Sequence, residues 1–375
     1  MAAKKKTKKA AKKKAAPARK APARKTAKKA AAKKPAPKAK HPAGKLRLTM
    51  LTGGYEIVRA LQDGTVQPKG IELVIGGYPG TRGIHDQVAQ GKACDINEYN
   101  GGHYVVQKAH GRDDITAIPV FLHRRFRHSF IYKNTGKGIE KPSDLAGRRV
   151  ACRTIGAAAA YWMRGHLEEH GAPHRSITWV IETLDEASEQ APEMKIEVVP
   201  KGKKVEEMVL TGEVDAIIQP NVSQACAAGD PRIAHLWPNY KEVELDYYRR
   251  TGFFPIMHVT TVPTAIVEKY PWVVESLTMA FEEAKQLAFK RLANPRNVPL
   301  ALWQYYWEDE RRVFGEDPWQ YGFSDLNRRN YDTLVGYVHD QVLAGPRPKI
   351  EDLFAKGSFD IPTPLPKMHE IDYEF

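Results

Sequence analysis

The sequence predicts an α/β fold on a largely parallel sheet, preceded by a basic tail. Three observations carry this. Short apolar strand-like runs alternate with helix-like segments from residue 46 onward, the order that lays helices over a parallel sheet. The last third of the chain then turns helical. Finally, the positive charge is confined to one end: of the 58 Lys and Arg in 375 residues, 19 lie in residues 1–45, which hold no Asp or Glu. The net charge of +14 is therefore +19 from the tail and −5 from residues 46–375, where 39 bases face 44 acids.

Residues 1–45 are Lys, Ala, Pro and Arg almost throughout, as in KKKAAPARKAPARK. With no large apolar side chain to offset the entropy of ordering, and with like charges repelling, the expectation is a disordered arm. It resembles the Lys-Ala-Pro tails of linker histones, and its expected contact is nonspecific, salt-sensitive binding to nucleic-acid phosphates. The arm has no apolar h-region, so no secretory signal is expected. No run of about 18 apolar residues is present to span a membrane. Cys94, Cys152 and Cys226 are odd in number and lack a CxxC spacing. They read as reduced thiols of a cytoplasmic chain.

The elements follow in order. LRLTML (46–51) is a strand ending in Thr52-Gly53-Gly54, followed by a helical stretch over Tyr55–Leu61. IELVI (71–75) is a second strand; a helix through His85–Gln90 leads to Gly91 and the strand ACDIN. ITAIPVFL and SFIYKN are further strands. After the loop 134–147, RRVACRT turns at Gly156 into a helix over Ala157–His170, and ITWVIE, KIEVVP, a helix at Val205–Leu210 and DAIIQ complete a second set. One similarity links the sets: Val88-Ala-Gln-Gly91 leads into CDINEYN as Val209-Leu-Thr-Gly212 leads into VDAIIQPN, each a helix closing at Gly and entering a strand through Asp. In the C-terminal third, Val273, Val274, Leu277, Phe281, Ala284 and Ala288 follow helical spacing, as do Leu326, Leu334, Val335, Val338 and Val342. The aromatic run from Trp303 to Phe323 is expected in the core or at a subunit interface, which leaves a homo-oligomer open.

Ligands of open α/β sheets bind beyond the carboxyl ends of the strands. The residues there are Thr52, Gly53 and Tyr55; Asn97, Glu98 and Asn100; Arg153, Thr154 and Gly156; and Gln219 and Asn221. Thr154-Ile-Gly156 opening a helix is a candidate anion seat. The densest basic group of the body is HRRFRHS, residues 123–129; in an extended segment Arg125 and Arg127 share one face, Arg124 and His128 the other. A cluster so dense in an acidic body points to an anionic ligand, because guanidinium groups pair with carboxylates in two-pronged fashion. His258 lies in an apolar strand, ordinarily the setting of a core histidine. Glu98, His128 and His258 are metal-capable residue types, but no pair among them has the spacing of a helical ligand pair, and no motif calls for a cofactor.

At these residues the chain resembles the 4,5-dihydroxyphthalate decarboxylase family, itself similar to type 2 periplasmic solute-binding proteins. The segments that carry the resemblance are GGYEIVRALQDGTVQPKGIEL, DINEYN, IPVFLHRRFRHSFIYKN, GIEKPSDLAGRRVACR, ITWV, FPIMH and VFGEDPWQYGFSDLNRR. The resemblance implies a two-lobed periplasmic-binding-protein-like fold with a central cleft: residues 46–133 and 253–375 in one lobe, 134–252 in the other. It implies a carboxy-lyase for a small anionic aromatic such as 4,5-dihydroxyphthalate. Glu98 or His258 would take a phenolic proton, His128 would protonate the ring carbon, and Arg125, Arg127 and Arg124 would hold the dicarboxylate, with Tyr55, Asn97, Arg153, Thr154, Gly156 and Asn221 lining the cleft. Where the family commonly reads Asp-Tyr-Asp, this chain has Gly54-Tyr55-Glu56. The competing class is a solute receptor that binds and does no chemistry; the lack of an h-region or lipobox cysteine favours the enzyme.

Overall fold

The computed structural model describes residues 44–371 except 192. The expected disordered tail therefore lies outside the described residues, apart from Gly44 and Lys45. Among the described residues, eleven strands form two sheets. The first contains β1 (Leu46–Leu51), β2 (Ile71–Ile75), β3 (Ile96–Asn100), β4 (Ile115–Ile118) and β11 (His258–Pro263), in the order β2-β1-β3-β11-β4. The second contains β5 (Ile131–Asn134), β6 (Arg149–Cys152), β7 (Thr178–Ile181), β8 (Lys195–Val198), β9 (Ala216–Ile218) and β10 (Ile233–His235), in the order β10-β5-β9-β6-β7-β8.

The pairing is parallel at β1/β2, β1/β3, β6/β9, β6/β7 and β7/β8, as alternating strands and helices require. One strand in each sheet departs from it. β11 runs antiparallel between β3 and β4, and β5 antiparallel between β10 and β9. β5 also moves a boundary: Ile131–Asn134 pairs in the second sheet, so the chain crosses between β4 and β5, ahead of residue 134. The short strand β10, Ile-Ala-His, was not expected from its three residues.

The similarity between the two strand sets has a physical basis. Gly91 and Gly212 adopt positive φ (67° and 74°) just past their helices, a conformation open to glycine. Asp95 then accepts the Thr49 N–H of β1 at 2.8 Å, and Asp215 accepts the Arg149 N–H of β6 at 2.9 Å. In each half one carboxylate pins the incoming strand against its parallel neighbour.

The halves are joined by buried helices. The helix Ala158–Glu169 is buried from Ala158 through Leu167, because Trp162, Met163 and Leu167 pack inward while glycines admit its neighbours. A Cβ on Gly165 would lie 2.4 Å from the Tyr337 ring of the helix Asp325–Val342, and one on Gly102 would lie 2.5 Å from the Gly156 carbonyl oxygen. Asn100 Oδ1 accepts from Gly102 and Ala158 N–H, both at 3.0 Å, and so ties the starts of two helices from different halves. The largest core cluster runs through both sheets; a second fills the first sheet beneath the helix Trp272–Leu292. The aromatic run divides: Tyr321 is buried and Phe314 packs on Phe126, whereas Tyr305 and Tyr306 are exposed. No helix among the described residues is long and apolar enough to cross a membrane.

Candidate active site

A cavity of about 810 Å³ lies at the carboxyl ends of strands from both sheets. Tyr55 follows β1, Asn100 ends β3, Arg153 and Thr154 follow β6, Asp185 follows β7, Asn221 follows β9 and His258 opens β11. The crossing segment adds His123, Arg125 and Arg127, and the helix Thr81–Ala89 adds Arg82, His85 and Asp86.

Register brings Glu98 and His258 together. In the antiparallel β3/β11 ladder His258 stands opposite Asn100 and Thr260 opposite Glu98, so Glu98 and His258 are diagonal neighbours on one face. Their side chains meet: His258 Nδ1 lies 2.5 Å from Glu98 Oε1. Glu98 is 0% exposed, although a buried carboxylate is costly unless hydrogen-bonded. Here it accepts from the Tyr55 hydroxyl at 2.8 Å and, through Oε2, from the Gly53 N–H at 2.8 Å. Burial, and then the adjacent Glu98 charge, push the Tyr55 phenol far above its ordinary range, so that it stays a donor.

Two further imidazoles flank the pair. The rings of His85 and His123 each lie 4.7 Å from that of His258, centroid to centroid. Burial, and next to it the neighbouring His258, hold both well below the ordinary histidine range, so both are neutral at pH 7. One ligating atom from each of His85, Glu98 and His258 lies within 4.8 Å of the other two. The parity that puts Arg125 and Arg127 on one face also includes His123, which is the sequence signal for it. His85 carries no such signal, since a helical histidine beside Ile84 and Val88 looks like any partly buried residue.

The arginines differ in what they meet. Arg127 is 2% exposed; its guanidinium donates to the Pro220 carbonyl at 2.9 Å, lies 3.4 Å from His123 Nε2 and covers the Phe130 ring. Burial, then the charge of Arg125, lowers it to about 9, which leaves it a cation at neutral pH. Arg125 is exposed at the cavity. Neither has a carboxylate within ion-pair distance among the described residues.

Several expected site residues lie elsewhere. Arg124 is turned into the protein, donating to the carbonyls of Phe254 and Gln320 and to Asn327 Oδ1 at 2.6–3.2 Å, and it fixes the C-terminal helices rather than a ligand. Asn97 points to the face opposite Glu98 and bonds the Cys94 carbonyl. His128 does not reach the cavity. It is 0% exposed, stacked on His166 at 3.9 Å, and burial, followed by nearby His170, lowers it to about 3. Enclosed away from the cavity, it is not placed to serve as the acid. It also lies apart from the metal-capable cluster, where His85 takes its place.

The anion seat at Thr154–Gly156 is already filled from within the chain. Asp185 Oδ2 accepts from the Gly156 N–H at 2.8 Å, from the Thr154 hydroxyl and from His103 at 3.2 Å. Burial opposes the Asp185 charge, but these donors outweigh it and hold the carboxyl at about 2. Thr154 and Arg153 still border the cavity, as do Tyr55 and Asn221.

Comparisons with known proteins identify the family and the fold. The chain is 30% identical over 326 residues to the 4,5-dihydroxyphthalate decarboxylase of Comamonas testosteroni, covering 84% of this chain and 98% of the relative. A protein of the same name from Pseudomonas putida is 30% identical over 217 residues, 56% of this chain and 84% of that one. Residues 56–202 match the family described as NMT1/THI5 like. A periplasmic sulfonate-binding protein from Methylobacillus flagellatus superposes with a TM-score of 0.51 at 13% identity, covering 83% of this chain and 92% of that one, which establishes the two-lobed binding-protein fold. The chain belongs to the 4,5-dihydroxyphthalate decarboxylase family.

Proposed function

We propose that the cavity decarboxylates a hydroxylated aromatic dicarboxylate of the 4,5-dihydroxyphthalate type. One observation carries the reading: Arg127 holds a guanidinium 2% exposed on the cavity wall, with no carboxylate partner among the described residues. A buried charge left unpaired costs several kcal/mol. A carboxylate of the ligand is the counter-ion that fits the planar fork, and Arg125 is placed to take the second.

The phenolic end meets His258, which Glu98 backs from behind the cavity wall. Glu98 fixes His258 through Nδ1, leaving Nε2 for the substrate. Taking the phenolic proton drives electron density through the ring to the carbon that bears the carboxylate. His123 adjoins both His258 and Arg127, and it relays that proton to the ring carbon. The carbon–carboxylate bond then breaks, its electron pair restores the aromatic ring, and CO2 leaves. The phenolate takes one proton from solvent, so the net reaction consumes a single proton. A binding-only protein would leave the Glu98–His258 pair and its flanking imidazoles without a role.

The test is CO2 release from a panel of hydroxylated benzoates and phthalates, with the ring product followed in parallel. Tight binding of 4,5-dihydroxyphthalate with no CO2 from any member of the panel would overturn the reading. Action in the cytoplasm on aromatic dicarboxylates, with a catechol acid as product, belongs to the same proposal.

A further inference from the structure

We infer that His85, Glu98 and His258 form a site for one divalent transition-metal cation, open to the cavity and to the paired hydroxyls of a catechol ring. The inference rests on the proposed function for the ligand that completes the coordination, not for the cation itself.

Three elements distant in the chain converge here: the helix Thr81–Ala89 brings His85, β3 brings Glu98 and β11 brings His258. One donor atom from each lies within 4.8 Å of the others. Donors about 2.1 Å from one cation stand about 3 Å apart at right angles and about 4.2 Å apart in opposition. The cluster therefore closes on a cation by shifts of about an ångström. The 2.5 Å contact between His258 Nδ1 and Glu98 Oε1 opens slightly as a metal replaces the shared proton.

His85 gives the second, independent observation. Its Nε2 is enclosed and has no hydrogen-bond partner among the described residues, which is costly for a polar atom unless a ligand meets it. Glu98 is held as metal-bound carboxylates are, with Gly53 and Tyr55 donating to its oxygens and fixing its orientation.

Two imidazoles and one carboxylate suit Mn²⁺, Fe²⁺, Co²⁺ or Zn²⁺ better than Ca²⁺ or Mg²⁺, which favour oxygen donors. Three protein donors leave coordination positions free, and two of the three ligating residues, His85 and His258, line the cavity. Adjacent phenolic oxygens fill two of the free positions, and the cation then polarises the phenol that His258, backed by Glu98, would otherwise deprotonate. No oxidant is needed, because CO2 still leaves without its bonding pair and one solvent proton replaces it on the ring.

The experiment titrates the chelator-stripped full chain with Co²⁺, following the visible absorption of N/O-coordinated cobalt, and assays CO2 release from 4,5-dihydroxyphthalate with and without chelator. One Co²⁺ per chain is expected, with affinity reduced at least tenfold in His85→Asn and in Glu98→Gln. His85→Asn guards against a folding defect in the buried Glu98 variant, and its melting temperature should match that of the parent. Absent Co²⁺ binding, or equal binding by both variants, overturns the inference. Undiminished CO2 release after chelation would then leave the decarboxylase reading standing. Stoichiometric binding lost in the variants, with no CO2 from any substrate, would uphold the cation site and sink the proposed function.

Discussion

His128 is one of the buried histidines that should make this fold less stable in acid. Its ring is fully buried against His166, Trp237 and Tyr247, and neither ring nitrogen has a partner among the described residues. Burial, then nearby His170, depresses the imidazole from 6.5 to about 3. Below pH 6.5 the unfolded chain therefore binds a proton that the folded chain refuses. Stability falls as the pH falls through this window, by at most about 1.4 kcal/mol per pH unit. Between pH 7 and 4.5 this one group removes about 2.5 kcal/mol. His128→Leu eliminates that loss. At pH 7 the variant should be no more than about 1 kcal/mol less stable than the parent, since two unpartnered nitrogens leave with the ring. Urea unfolding followed by tryptophan fluorescence at both pH values measures the difference, with Trp237 as an adjacent reporter. Equal acid losses in parent and variant would refute the burial argument. A more than tenfold fall in CO2 release at pH 7 would show that the ring reaches the substrate after all.

Four other outcomes are expected. Arg127→Leu should raise KM for a dicarboxylate about 10- to 100-fold, the worth of one charged hydrogen-bonded pair, and Arg127→Lys should not restore it because the fork is lost. Glu98→Gln should lower kcat by about a hundredfold or more in single-turnover measurements while the chain stays folded by circular dichroism. Thr154→Val should cost about 1–3 kcal/mol in urea unfolding and leave KM within about twofold, since its hydroxyl serves Asp185 and not the substrate. Removing residues 1–44 should abolish retention on DNA at low salt and leave CO2 release unchanged; retention by the shortened chain would move nucleic-acid contact to the body.

Where a pattern was local, it could be read from the sequence. The strands, the two amphipathic C-terminal helices and the paired Gly-to-Asp entries into β3 and β9 depend on neighbours within a few residues, and alternation along 123–128 separates the cavity-lining arginines from the structural one. Long-range contacts were the limit. Glu98 meets His258 because β11 returns 160 residues later, antiparallel and in a particular register. His85 joins them through helix packing that no spacing encodes. His128 misled for the same reason. It shares the motif with Arg127, yet the adjoining turn puts its ring against His166, and motif membership says nothing about which side of a buried wall a ring occupies. Thr154–Gly156 looked like a free anion seat because Asp185, its occupant, lies 29 residues beyond Gly156.

The charge bookkeeping of the cavity bears on turnover as well as binding. Of the acids on its wall, Asp86 is met by Arg82 at 3.7 Å, Asp185 by His103 at 3.2 Å and Glu186 by His110 at 2.5 Å. Arg125, Arg127 and Arg153 remain without carboxylate partners among the described residues. A net-acidic body thus keeps three guanidinium groups free on the cavity wall, and a dicarboxylate is a ligand they can hold. Decarboxylation then removes one of the two carboxylates as neutral CO2. The product keeps the catechol ring but loses one charged contact, about 1.5–3 kcal/mol, and so should bind roughly ten- to a hundredfold more weakly than the substrate. The arginines that capture the dicarboxylate also favour release of the monocarboxylate, with no movement of the protein required to discriminate them.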